Sequence, residues 1–150
     1  MALNYNFTMP VDWLLYRDQK VATDLNAVSF KNKCKIIGPA NRPCMIRDYH
    51  FVEGSDCVKT GHSGATALQI SQKIGYQKIY LSGYDYKQTE DGKDHLYREK
   101  SQGLYSNAKH MKGFLADFNN FHIGDNVYNL NDRSMLRSIK FANVGDIYAY

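Results

Sequence analysis

Thr60-Gly61-His62-Ser63-Gly64 puts two hydroxyls, an imidazole and two glycines directly ahead of a helical pattern. The chemistry open to such a segment is anion binding. The first turn of a helix carries backbone N–H groups that have no intrahelical acceptor, together with a partial positive charge, and glycine lets a ligand approach that backbone closely. Thr60 and Ser63 add hydroxyl donors, so a phosphate or carboxylate is the expected guest of the amides leading into Ala65, which should face solvent. The plainer alternative makes Ser63 a helix N-cap and Gly61 and Gly64 ordinary turn glycines. The segment matches neither G-x-x-x-x-G-K-[ST] nor G-x-G-x-x-G. His62 has no partner at metal-ligand spacing nearby, so it reads as an oriented loop histidine, and neither a metal nor a cofactor is expected.

Two further polar corners follow apolar runs. Asp18 closes DWLLYRD, and Gly83-Tyr84-Asp85-Tyr86 closes KIYLS. Asp85 is either a satisfied turn residue or a group that holds a ribose or a reacting atom, because an aspartate at a strand end beside a phosphate corner suits both.

The elements that must position these corners alternate. MALNYNF is β-like, and DWLLYRD is a short buried run suited to a central strand. VATDLNAV reads as helix, and CKIIG as a strand stopped by the turn signal Gly38-Pro39. RDYHFVE reads as an edge strand or an extended loop. Ala67, Ile70, Ser71 and Ile74 recur at helical spacing, Leu68 widens the stripe, and Gly75 is placed to end the helix. KIYLSG is the next strand, so loop, helix, tight turn and strand form half of a βαβ unit. QTEDGKDHLYREKSQG reads as a surface loop or lid. Met111, Phe114, Leu115 and Phe118 mark a second helix, capped by Ser106 or Asn107. NVYNLN reads as a strand and RSMLRSI as a short helix, while FANVGDIYAY is ambiguous. The order implies an α/β fold: one three-layer, Rossmann-like domain over residues 1–150 with a mainly parallel sheet, whose ligands lie at the carboxyl ends of the strands.

Composition narrows the function. The 150 residues, 43% of them hydrophobic, can bury one core, and no apolar run is long enough to span a bilayer. The N-terminus lacks the basic-then-apolar order of a signal peptide, so a cytoplasmic location is expected. Cys34, Cys44 and Cys57 are odd in number and widely spaced, which excludes a disulfide framework and points to free thiols. The net charge of +4 favours an anionic ligand, but the lysines are scattered and no nucleic-acid-binding motif is present, so nucleic acid is not an expected partner.

The run HSGATALQISQKIGYQKIYLSGYDY resembles the signature of bacterial CMP-sialic-acid-dependent sialyltransferases, in which a Ser-Gly pair opens a helix and a Gly-Tyr-Lys-type turn leads to a strand ending Ser-Gly-x-Asp. It is also similar to Rossmann-like phage and archaeal proteins described as pterin-pyrophosphokinase-like or glycosyltransferase-like. MALNYNF resembles the strand that delivers a nucleotide-contacting asparagine, here Asn4, and VYNLNDRSML is similar to the closing strand region of the phage proteins. The likeness covers most of the chain, but only residues 61–86 are specific. It implies an additional first strand and Gly/Asn-rich nucleotide loop that this sequence does not contain. It also implies a general-base histidine near the start of YSNAKHMKGFL, where Ser106 and Asn107 stand; His110 lies a turn further on, and His95 in the lid is the other substitute.

Two functions follow. The first is binding without chemistry: a nucleotide or nucleotide-derived signal held at the Ser63-Gly64 helix end, as in phage proteins that sequester nucleotide immune signals. The ligand set is Asn4, Asp18, Thr60, Gly61, His62, Ser63, Gly64, Gly83, Tyr84 and Asp85. The second is a glycosyltransferase using a nucleotide-sugar donor, with Asp85, His110 or His95 as catalytic candidates. The absent base and the absent loop favour binding. A sheet lacking its usual first strand exposes an edge that must be covered, so a homo-oligomer is expected.

Overall fold

The computed structural model describes residues 2–3, 12–19, 21, 23, 34–42, 47–86 and 108–147. The chain divides into two compact units, Met1–Ile74 and Gly75–Tyr150, each built on its own sheet.

The first unit carries four strands, β1 (Ala2–Leu3), β2 (Trp13–Leu15), β3 (Lys35–Pro39) and β4 (Tyr49–Phe51), hydrogen-bonded in that order and all parallel. DWLLYRD is central as expected: Leu14 and Leu15 pair with Ala2 and Leu3 on one side and with Ile36 and Ile37 on the other. RDYHFVE is resolved in favour of a strand, β4, at the sheet edge. Of VATDLNAV, Val21 and Thr23 are helical, with the Thr23 hydroxyl donating to the Gln19 carbonyl at 3.0 Å.

The Gly38-Pro39 turn signal is overruled. Both residues are the last two of β3, paired to His50 and Phe51, and the chain turns only at Ala40-Asn41. Gly38 marks a close approach inside a strand, because a Cβ there would lie 2.1 Å from two ring carbons of Tyr16.

Helix α1 (Ser63–Ile74) lies over this sheet. Ala67 and Ile70 pack with Leu15, Ile37, Phe51 and Cys57. Residues 64–71 are all buried, so the helix is enclosed around its first turns and is more than a one-sided stripe; Ile74, expected on that stripe, is exposed. Gly75 ends the helix at φ +89°, the left-handed conformation that suits glycine.

The second unit carries β5 (Ile79–Leu81), helix α2 (Ala108–Asp117), β6 (Val127–Asn129) and β7 (Lys140–Phe141), the strands again parallel and in chain order, followed by a 3₁₀ turn at Val144–Ile147. Period-two burial explains the pairing: Ile79, Leu81, Val127 and Asn129 face inward, while the opposed Tyr80 and Tyr128 stack at 5.5 Å on the other face. The helix expected over RSMLRSI is absent, and turns and bends occupy residues 132–139. The Ser134 hydroxyl is the reason: it accepts the Leu136 amide at 3.0 Å and donates to the Tyr84 carbonyl, side-chain bonds that compete with a helical ladder.

The α/β class with parallel sheets therefore holds, with strands divided between two sheets. Strand order reverses in neither sheet, so neither contains a topological switch point of its own. Among the described residues no helix is long and apolar enough to cross a membrane. Cys34 and Cys57 are free thiols, Cys57 buried.

Candidate functional site

The Thr60–Gly64 corner is placed by a ladder. Cys57 bridges Glu53 in parallel, so residues 57–60 run in the direction of the strands of the first unit. Helix α1 then folds back along them. Lys73 reaches Asp56 at 2.6 Å, Gln69 brackets Val58 by accepting its amide at 2.7 Å and donating to its carbonyl at 3.2 Å, and the Thr66 and Thr60 hydroxyls meet at 3.0 Å. The helix C-terminus is thus held near the end of β4, and its N-terminus lies beyond the carboxyl ends of the strands. That is the edge at which parallel sheets receive ligands.

The first turn is capped by His62, one residue ahead of the Ser63 considered for that role. The His62 carbonyl accepts the first helical bond, from Thr66 N–H at 3.5 Å, and its Nδ1 accepts the Ala65 amide at 3.4 Å. Both threonine hydroxyls also lie within bonding reach of the His62 carbonyl, Thr60 at 3.3 Å and Thr66 at 3.4 Å. His62 is therefore the oriented loop histidine expected. The Ala65 amide, however, is taken up by the protein itself and is not the open donor anticipated. Gly61 is exposed, His62 and Ser63 are half-buried, and Thr60, Gly64 and Ala65 are buried.

Asp18 lies three residues past β2, at the same carboxyl edge, in a charged network. Its Oδ1 is 3.8 Å from Arg42 Nη1, and that guanidinium also donates to the Arg17 carbonyl. Arg17 in turn directs Nη2 and Nε onto Glu53 Oε1 at 2.9 and 3.1 Å, in a pair whose side chains are only 13% and 25% exposed. Tyr16, fully buried, anchors the loop by donating to the Arg42 carbonyl at 2.6 Å. Sequence reasoning missed Arg17, Arg42 and Glu53. The available signal was that each follows an apolar strand, and a parallel sheet collects such positions at one edge.

The third corner belongs to the second unit. Gly83 adopts φ +77°, and the chain turns so that Asn131 donates to the Asp85 carboxylate while the Met135 amide donates to the Asp85 carbonyl at 2.8 Å. The Tyr84 carbonyl receives Ser134 Oγ and, at 3.5 Å, Asn129 Nδ2. Asp85 is thus a held turn residue, bonded to a loop that sequence reasoning did not connect with it. Burial raises the ionisation of Tyr84 and Tyr86 well above the ordinary phenol range.

The structure accordingly groups Thr60–Gly64 with Asp18 in Met1–Ile74, and places Gly83, Tyr84 and Asp85 in Gly75–Tyr150. His110 lies in α2, with only its backbone described; Asn4 and His95, with the lid segment, fall outside the described residues. Among the described residues no group of His, Cys, Asp and Glu could hold a metal ion. No protein-family model, curated protein or solved structure matches the chain.

Proposed function

We propose that the protein binds a nucleotide-type phosphate ligand at the start of α1 and holds it without turnover. The carrying observation is that a 12-residue helix begins beyond the carboxyl edge of a parallel sheet, with an exposed Gly61 and a half-buried Ser63 at its mouth. The helix dipole favours an anion there, and the net charge of +4 acts in the same direction. Because His62 takes the Ala65 amide, the proposed contact lies ahead of Ala65, where Gly61 is exposed and Ser63 half-buried. Arg42, whose pair with Asp18 is partly exposed and therefore weak, supplies a second positive charge on the same edge. Sequestration of a nucleotide signal is the role this supports. Among the described residues Asp85 is engaged by Asn131 and nothing favours sugar transfer.

Calorimetry with CMP, CDP, ADP-ribose and a cyclic nucleotide, followed by mass spectrometry of the recovered ligand, tests the reading. One of them should bind stoichiometrically and return unaltered. Gly61→Asp, which sets a carboxylate at the helix start in an exposed position, should weaken binding by about tenfold or more, the cost of roughly 1.4 kcal/mol. Turnover of a nucleotide-sugar, or binding indifferent to Gly61→Asp, would reject it. A second copy that completes the pocket is part of the same proposal, and light scattering of a strict monomer at high concentration would remove that part.

A further inference from the structure

The second unit carries a surface hollow of about 250 Å³ framed by the residues that lead from β6 into β7. Asn129, at the end of β6, is 2% exposed and lines it. Period-two burial forces this amide inward, where its Oδ1 accepts the Asn131 amide at 3.1 Å and its Nδ2 reaches the Tyr84 carbonyl at a long 3.5 Å. Leu136 and Ile139, 4% and 6% exposed, form the apolar part of the lining, and Phe141 stands at the side with half its surface open. Two cations complete it. Arg137 donates through Nη1 to the carbonyl of Asp132, itself a lining residue, at 2.8 Å; this uses one of the five N–H donors of a guanidinium and pre-orients the rest. Lys140 pairs at 3.3 Å with Asp125, but those side chains are 64% and 99% exposed, so the pair holds the ammonium weakly and a better-placed anion can redirect it.

Charge and size together define a ligand. Arg137 and Lys140 outweigh the one lining carboxylate, Asp132, and apolar neighbours strengthen the attraction of a cation for an anion. The volume falls below the roughly 300–1,000 Å³ of sites that enclose a whole drug-sized molecule. We propose that this hollow is a binding site for a small oxyanion, a phosphate monoester or a carboxylate of a few carbons, with Arg137 and Lys140 holding the charge and Asn129 bonding an adjacent hydroxyl. The site is formed entirely by residues 129–141 and does not depend on the α1 corner.

Amide chemical-shift titration of the full chain with glycerol 2-phosphate, and separately with glycerate, tests this and tells the two anion classes apart. At least one should give saturable shifts centred on residues 129–141 with Kd on the order of 1 mM. Arg137→Gln and Lys140→Gln should each weaken it several-fold, and the double variant about tenfold or more, the rest of the spectrum staying in place as the check on folding. Shifts at residues 129–141 that persist when Gly61→Asp is titrated belong to this hollow; their loss in that variant would overturn the proposal and assign the effect to the α1 corner. Non-saturating shifts spread over surface lysines, shifts undiminished in the double variant, or none with either anion would also overturn it.

Discussion

Gly38 shows how much one absent methyl can carry. The position where its Cβ would stand is 2.1 Å from two ring carbons of Tyr16 and 2.5 Å from the phenolic oxygen, and Tyr16 is fully buried with that oxygen donating to Arg42 at 2.6 Å. Retreat of the ring would strain the bond that ties Tyr16 to Arg42. Gly38→Ala should therefore destabilise the protein by about 1–3 kcal/mol through overpacking, read as a lower urea midpoint. Gly38→Ala with Tyr16→Leu should recover part of the loss, since the smaller side chain vacates the contact. A loss in Gly38→Ala below about 0.5 kcal/mol, the range of an uneventful surface change, would mean that the ring moves freely. The sequence presents Gly38-Pro39 as a turn because the pair is a turn signal locally; the residue that gives the glycine another meaning lies on a neighbouring strand. His62 is a similar case. The corner was visible as contiguous hydroxyls and glycines, but which residue caps the helix depended on where the imidazole settled, and histidine is not among the preferred caps.

At the scale of elements, what could be read was what depends on neighbours in sequence. Helix α1 and its stop at Gly75, the central place of Trp13–Leu15, and the strands at Ile79–Leu81 and Val127–Asn129 all follow from periodicity and turn chemistry. The segment 132–139 did not, because Ser134 and Asn131 spend their side chains on Tyr84 and Asp85, some fifty residues earlier in the chain. For the same reason the hollow over β6 and β7 and the Arg17–Glu53 pair were illegible: each needs the strand order before its members are neighbours. The ladder that joins residues 56–60 to α1 is the element-level device on which the α1 corner rests, and Gln69 is its middle rung. Gln69→Leu keeps the helix former and the bulk but leaves the Val58 amide and carbonyl without their side-chain partner, which should cost about 1–3 kcal/mol. Amide exchange at Val58 should accelerate with it. If Val58 kept its protection in Gln69→Leu, residues 57–60 would owe their course to something other than this bracket.

For the molecule as a whole, the buried phenols predict a loss of stability at alkaline pH. Tyr84, Tyr86 and Phe118 form an edge-to-face cluster with ring centroids 5.5 to 6.3 Å apart, and Phe118 is 2% exposed. Burial pushes both phenols above their ordinary range, and Tyr86 is raised further by the neighbouring Tyr84 and Asp117. Tyr86 also sits at φ +51°, a left-handed backbone rare for an aromatic residue, so the surrounding packing must hold it there. Above pH about 10 the unfolded chain gives up these protons while the folded chain keeps them. The unfolded state then binds fewer protons than the native state, and stability falls with every further rise in pH. The contribution is complete below the unfolded phenol value and is lost as pH climbs toward the raised folded values. Tyr84 and Tyr86 should therefore lag in a titration followed by tyrosinate absorbance, ionising only as circular dichroism reports loss of structure. Tyr86→Phe should remove one lagging ionisation and move the alkaline unfolding midpoint upward, because a group driving it is gone. Full ionisation of the tyrosines in one wave, before any change in circular dichroism, would show that these rings are open to solvent and that the cluster does not hold the turn bearing Asp85.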